Sequence, residues 1–254
     1  MKYLLRKNNL EALKAFCSSG GILFAFDFDG TLTRIVKNPK DVRMAKKTIS
    51  QILKLKRKFL VAVISGRRLS DLKKVLPFKP DYAIGNHGIE GIKTFKVKTD
   101  EAKRLCNNWE GILKVALSKD QGIIVENKGL SVSVHYRLSK DRLSSKKKVL
   151  KICTTLGNEH RLIMGKMVVD IIPVFAPNKG DAVIELIKMT GHNKVFYIGD
   201  DETDEAVFNL PGKYKIFKVR VGISLKSHAD FFITRQGELH KVLSNIVSGG
   251  VRAK

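Results

Sequence analysis

Ile22-Leu23-Phe24-Ala25-Phe26-Asp27-Phe28-Asp29-Gly30-Thr31-Leu32-Thr33 is an apolar run of strand length that stops at two carboxylates. A glycine follows, which can take backbone angles that other residues avoid. In an open α/β sheet, ligands gather at the carboxyl ends of the strands, so acids delivered there are candidates for work on a substrate. Alternate residues of an extended strand point to the same side, which lets Asp27 and Asp29 share one metal ion or one phosphate while Phe28 turns into packing. An oxygen-rich site of that kind suits Mg²⁺. An ordinary strand followed by an Asp-Gly turn has the same local pattern, so the surrounding chain must decide.

Upstream, Leu4, Leu5, Leu10, Leu13 and Phe16 fall near helical spacing and Ser18-Ser19-Gly20-Gly21 closes them, which predicts an amphipathic helix within residues 2–19. Downstream, a loop with Asn38-Pro39 leads to a helical stretch from about Met44 to Lys58, then to a strand from Phe59 to Ile64 that ends at Ser65-Gly66-Arg67. A helix over Leu69 to Leu76 and a strand over Pro80 to Ile84 follow. Strand, helix and strand in alternation predict a parallel sheet. A hydroxyl and a glycine at a strand end, opening a helix, offer N–H groups and positive dipole to a phosphate; taken alone, Ser65 is better explained as a simple helix cap.

From about Gly85 the pattern changes. Helices at Glu101–Leu117 and Lys140–Leu156 alternate with β-like runs at Gly122–Val125, Leu130–Tyr136, Arg161–Met164 and Met167–Ile172. This predicts a small α+β unit inserted into the parallel sheet. The core resumes with Pro177-Asn178-Lys179-Gly180, which opens a helix through Met189. The strand Lys194–Ile198 then ends in Gly199-Asp200-Asp201-Glu202-Thr203-Asp204-Glu205, with five carboxylates in six positions. Such crowding asks for a compensating cation. An acidic first helical turn explains Glu202 and Glu205 but explains Asp200, at the strand end, less well. Strands at Lys215–Val221 and 231–233 and a helix to about Val247 complete the alternation, with Ser248 to Lys254 as a frayed tail. The expected fold class is therefore α/β: a Rossmann-like parallel-sheet core of residues 1–85 and 175–254, with an α+β insert at 86–174.

The chain's 254 residues and 43% hydrophobic content are enough for a proper core. No apolar run is long enough to span a membrane, and no signal peptide is evident. Cys17, Cys106 and Cys153 form no Cys-x-x-Cys pair, which argues against a disulfide framework or a zinc site and for a reducing cytoplasm. The net charge of +24 is compatible with nucleic-acid contact, but the lysines are spread along the whole chain with only short clusters at 54–58 and 146–148, and solvated helix faces explain them more cheaply. A nucleic-acid partner is not favoured, and a monomer is.

Asp27-Phe28-Asp29-Gly30-Thr31, Ser65, Lys179 and Gly199 to Asp204 stand in the order of the four motifs of the haloacid dehalogenase-like hydrolases, and the resemblance covers nearly the whole chain. The position of the insert resembles that superfamily's C2-type cap. GDDETDE at 199–205, Ser65-Gly66-Arg67, Asn86-His87-Gly88 and the stretch from Glu126 to Arg137 are together similar to the trehalose-6-phosphate phosphatases. The resemblance implies that Asp27 is the nucleophile and Asp29 the general acid/base. It implies Mg²⁺ on Asp27, Asp200 and the carbonyl of Asp29. It also implies that Ser65 and Lys179 hold the phosphoryl oxygens and that Asp204 orients Lys179 or a metal-bound water. Substrate contacts are expected from Gly30, Thr31, Gly66, Arg67, Asn86, His87, Gly88 and Asp201 in the core, and from Glu126, Lys128, Ser131, His135 and Arg137 in the cap.

Asp170 stands where the family usually has a longer Glu, which puts the identity of the sugar in question. The function implied is a phosphatase acting on a small-molecule sugar phosphate, with trehalose 6-phosphate favoured. Phosphatases for glucosylglycerol- or mannosylglycerate-type phosphates, a phosphomannomutase-like mutase, and a polyanion-binding protein on the same scaffold are the alternatives.

Overall fold

The computed structural model describes residues 1–18, 20–36, 41–95 and 98–248. The Asn38-Pro39 loop and the tail beyond Ser248 lie outside the described residues. Two compact units divide the chain, one of Met1–Thr94 with Asn178–Lys254 and one of Phe95–Pro177.

The first unit is built on a seven-stranded sheet. Its strands are β1 (Lys2–Tyr3), β2 (Ile22–Asp27), β3 (Leu60–Ile64) and β4 (Tyr82–Ile84), then, beyond the insert, β9 (Lys194–Gly199), β10 (Lys215–Val221) and β11 (Phe231–Ile233). The order is β1-β11-β10-β9-β2-β3-β4, and every pair is parallel. From β2 the chain steps outward through β3 and β4, then returns to the other side of β2 at β9. The β2/β9 boundary is thus the point where the strand order reverses, which in such sheets opens a crevice at the carboxyl ends.

All six residues of β2 are buried, as expected of a strand covered on both faces. Phe24, Phe196 and Phe217 occupy partnered positions on β2, β9 and β10, and their rings follow one another at 5.4 and 6.1 Å between centroids. They join one cluster with Leu13 and Cys17 of α1 (Lys7–Ser18), Ile52 and Leu55 of α2 (Lys46–Lys56), and Val242, Leu243 and Ile246 of α8 (Leu239–Ser248).

Two expectations are corrected. The helix predicted within residues 2–19 begins only at Lys7, because Lys2 N–H donates to the Asp230 carbonyl and Leu4 N–H to the Phe232 carbonyl, both at 2.8 Å, extending the sheet. Leu4 is buried from that edge strand, not from a helix face. Residues 86–94, assigned above to the insert, belong to the core unit. Asn86 N–H donates to the Arg67 carbonyl at 2.7 Å and His87 N–H to the Ser65 carbonyl at 2.9 Å. The Glu90 carboxylate accepts from Leu69 N–H at 2.6 Å, so the segment is stitched over the end of β3.

The second unit carries an antiparallel sheet in the order β5-β6-β8-β7, made of β5 (Ile124–Asn127), β6 (Val132–His135), β7 (His160–Gly165) and β8 (Val168–Pro173). Helices α4 (Thr99–Ala116) and α5 (Arg142–Cys153) cover one face. Leu105, Cys106, Trp109 and Leu113 of α4 and Val149 and Cys153 of α5 pack there on Val132, Val134, Val169 and Ile171. All three cysteines are free and buried, and burial pushes their thiols up, Cys17 and Cys106 to about 12 and Cys153 to about 11. No described helix is long and apolar enough to cross a membrane.

Candidate active site

The carboxyl ends of β2 and β9 bring Asp27 and Asp200 together. Asp27, Asp200 and Asp204 are all buried, and one carboxylate oxygen of each lies within 4.8 Å of the others. Gly30 makes this approach possible. A Cβ built on it would stand 2.2 Å from Asp200 Oδ2, and its φ of +91° is one that side chains resist. Thr31 is buried beside it, with no hydrogen-bond partner for its hydroxyl among the described residues.

Lys179 begins α6 (Lys179–Thr190), whose first turn is fixed by Asn178 and Asp181 in a reciprocal capping box. From there its ammonium, 2% exposed, donates to Asp27 Oδ1 at 2.7 Å and to Asp204 Oδ1 at 2.8 Å. Asp204 Oδ1 also accepts from the Tyr197 hydroxyl at 2.6 Å, and Oδ2 from Asp201 N–H at 2.9 Å. Burial pushes the Asp204 carboxyl up, but the Lys179 charge and these donors outweigh it and hold the group below its usual range. Asp27 goes the other way: burial, with Asp204 and Asp200 nearby, raises it well above the usual range despite Lys179. Burial and Asp204 likewise raise the Tyr197 phenol, keeping it a donor.

These residues fit a divalent cation. Asp204 already accepts three hydrogen bonds, so the position a cation could take lies between Asp27 and Asp200. Asp27 Oδ2 is buried there with no partner among the described residues. A hard cation between the two carboxylates would supply the missing compensation for Asp27. The Asp201 carboxylate caps the turn at 202–204 by accepting from Glu202 N–H at 2.9 Å.

Ser65, at the end of β3, is 1% exposed and its hydroxyl accepts from Arg67 N–H at 3.2 Å. The Arg67 guanidinium forks onto Asp29, Nε to Oδ2 at 2.6 Å and Nη2 to Oδ1 at 2.7 Å, and lies over the Phe28 ring at 5.5 Å. Gly66 leaves room for the His87 ring, since a Cβ there would be 2.4 Å from Cε1. Asn86 and His87 both have left-handed backbones, with φ of 49° and 60°. Two strained residues in succession are held by the bonds that close this segment over β3, a pattern that concentrates at functional sites. Gly88 completes the turn, packed on the Asn178 carbonyl next to Lys179.

The insert has its own polar cluster, on the sheet face opposite its helices. Register pairs Glu126 with Ser133 and Ser133 with Asp170, so these side chains form one row. Asp170 accepts from Lys128 at 3.2 Å and from the Ser133 hydroxyl. His135 Nε2 meets Glu126 Oε2 at 2.8 Å, a bond that holds the Glu126 carboxyl below its usual range. Ser131 is buried, its carbonyl accepting from Lys128 N–H at 2.8 Å. Arg137, past the end of β6, turns to the Lys166 carbonyl at 3.1 Å.

The trehalose-phosphatase family model matches residues 25–234, from within β2 to just past β11. The chain belongs to the trehalose-phosphatase family. It is 28% identical over 224 residues to the trehalose-phosphate phosphatase of Mycobacterium tuberculosis, a match covering 81% of this chain and 56% of that protein. The trehalose-phosphate phosphatase of Mycolicibacterium paratuberculosis is 31% identical over 197 residues, covering 72% and 50%. The chain thus spans about half the length of these curated relatives.

Among solved trehalose-phosphatase structures, a trehalose-6-phosphate phosphatase related protein superposes with a TM-score of 0.72 at 25% identity, covering 90% of this chain and 98% of that one. The C-terminal domain of the Candida albicans trehalose-6-phosphate phosphatase has the same fold, with a TM-score of 0.80 at 23% identity and coverage of 94% and 97%. The expected α/β core with an α+β insert is therefore the trehalose-phosphatase architecture. Two residues around its acidic cluster were not singled out from the sequence: Tyr197, which looks like one more apolar residue of β9, and Arg220, which alternates within β10.

Proposed function

We propose that the chain is a Mg²⁺-dependent phosphatase that hydrolyses trehalose 6-phosphate to trehalose and phosphate through an aspartyl-phosphate on Asp27. The observation that carries this reading is the state of Asp27, buried at the end of β2 with Oδ1 on Lys179 and Oδ2 lacking a partner. Asp27 attacks phosphorus, which splits one difficult displacement into two easier ones. Asp29, protonated for the first step, delivers its proton to the departing sugar oxygen and later takes one from the hydrolytic water, which requires Arg67 to release at least one of the two carboxylate oxygens it holds. Lys179 neutralises phosphoryl charge where a carboxylate nucleophile and an anionic substrate would otherwise repel, and Asp204 and Tyr197 keep its ammonium in place. Ser65, one residue past β3, offers its hydroxyl to another phosphoryl oxygen. When bound, the cation would be held by Asp27, Asp200 and the Asp29 carbonyl and would draw negative charge off the transferring group.

In the insert, which acts as the cap, the row of Glu126, Ser133 and Asp170 with Lys128 and His135 supports recognition of the sugar hydroxyls. The free cysteines support a reducing, cytoplasmic setting. Phosphate release from a panel of sugar phosphates, with Mg²⁺ or with chelator, tests the reading. Release that needs Mg²⁺ and is fastest on trehalose 6-phosphate is expected; activity confined to another sugar would keep the chemistry and reassign the substrate, and no release from any member would remove the reading. Asp170→Ala is expected to raise KM about tenfold with kcat little changed, the signature of losing one charge-assisted bond made equally before and at the transition state. A fall in kcat at constant KM would refute a role confined to sugar binding.

A further inference from the structure

We propose that Arg220 is a positioning residue for the metal-binding carboxylate of Asp200, an inference that rests on the reading of Asp27 and Asp200 as cation ligands. Arg220 sits on β10 directly across from Gly199 of β9, and its side chain is 13% exposed. Its Nη2 donates to the Asp200 carbonyl at 3.0 Å, and its Nη1 to the Asp201 carbonyl at 3.3 Å and to Glu205 Oε1 at 2.9 Å. Glu205 is itself fixed, its other oxygen accepting from His228 N–H at 2.9 Å.

The peptide between Asp200 and Asp201 is therefore clamped at both ends. Its carbonyl points to Arg220, and its N–H donates to Asp204 Oδ2 at 2.9 Å. Asp200 lies just past Gly199, the last residue of β9 in register with β10, and its peptide is held by these side-chain bonds. That peptide is bonded directly to the Asp200 Cα, so holding it on one side, while β9 holds the chain on the other, fixes the Cα from which the carboxylate projects. With the clamp, the carboxylate stands over Gly30, beside Asp27. Arg220 thus acts on a cation it does not touch, in the way outer partners of a metal site orient its ligands. A planar fork suits two carbonyls and one carboxylate at once, a task a lysine cannot reproduce.

The test is Mn²⁺ binding to the full chain without substrate, followed by electron paramagnetic resonance, alongside melting temperatures without metal. Native chain is expected to bind Mn²⁺, Arg220→Gln to bind about tenfold more weakly, and Arg220→Lys to recover only part of the loss. Arg220→Gln that melts lower but binds Mn²⁺ as the native chain does would overturn the proposal and leave Arg220 a purely structural ion pair. Failure of the native chain to bind Mn²⁺ would instead overturn the reading of the metal site. Should Arg220→Gln not fold, Glu205→Gln, which loosens the guanidinium without removing it, is expected to weaken Mn²⁺ binding by a smaller factor, and unchanged binding there would equally overturn the proposal.

Discussion

Asp27→Asn is expected to reduce phosphate release by roughly 10⁴- to 10⁶-fold, the scale of losing a covalent nucleophile, while leaving the melting temperature unchanged or higher. The two effects have separate causes. An amide of the same shape cannot attack phosphorus, so the covalent route closes. The native carboxylate, however, is a burden on the fold: burial and the nearby Asp204 and Asp200 raise its pKa well above the usual range. A group raised in the folded state opposes folding once the pH is high enough to ionise it. Replacing it with a neutral amide removes that opposition, and the Asn oxygen can still accept from Lys179. Melting curves and phosphate assays on one preparation check both halves. Turnover within tenfold of the native rate would refute Asp27 as nucleophile, and a clearly lower melting temperature would refute the electrostatic account.

Lys179→Met is expected to damage both properties at once. Its ammonium is the shared partner of Asp27 and Asp204, all three nearly fully buried. Removing one member of such a cluster leaves carboxylates uncompensated and costs about 3–5 kcal/mol. Loss of its charge at the phosphoryl group should slow turnover by about 10²- to 10³-fold. The pH dependence gives a sign test. In the native chain Asp204 is held below its usual range, so its contribution to stability is present at neutral pH and lost as the pH falls through the carboxylate range. Without Lys179, burial dominates and the folded pKa rises above the unfolded one, so the contribution reverses and stability recovers as the pH falls. Melting temperatures of the two proteins should therefore converge as the pH falls from neutral through the carboxylate range; parallel curves would refute the assignment.

The strand β2 and the acids at its end were legible because their pattern is local. Five apolar residues, two acids and a glycine in succession state a buried strand end, and the same logic picks out Ser65 after β3 and Asp200 after β9. Tyr197 was not legible, because within Val195-Phe196-Tyr197-Ile198 an aromatic residue has ample reason to be apolar packing, and only the fold reveals Asp204 against its hydroxyl. Arg220 was hidden for the complementary reason: in a strand alternating with Lys218, a charged residue looks solvent-facing until β9 is set beside it. Residues 86–94 were assigned to the wrong unit because their bonds are to the backbone of Ser65 and Arg67, partners that composition does not encode. The polar row of the insert was partly legible, since the resemblance pointed to Glu126, Lys128 and His135, but the place of Ser133 and the pairing of Asp170 with Lys128 needed the register of β6 and β8.

The burial of the cysteines makes the chain its own stability sensor. Cys17 belongs to the core unit, and Cys106 and Cys153 to the inserted one. With thiols shielded and their ionisation suppressed, alkylation at neutral pH has to proceed through opened molecules. Peptide mapping of the label over time would therefore report two opening free energies from one experiment, one for each unit. Equal labelling rates at all three sulfurs would mean that the units open together. Faster labelling of Cys106 and Cys153 would mean that the insert opens while the sheet bearing Asp27 stays closed.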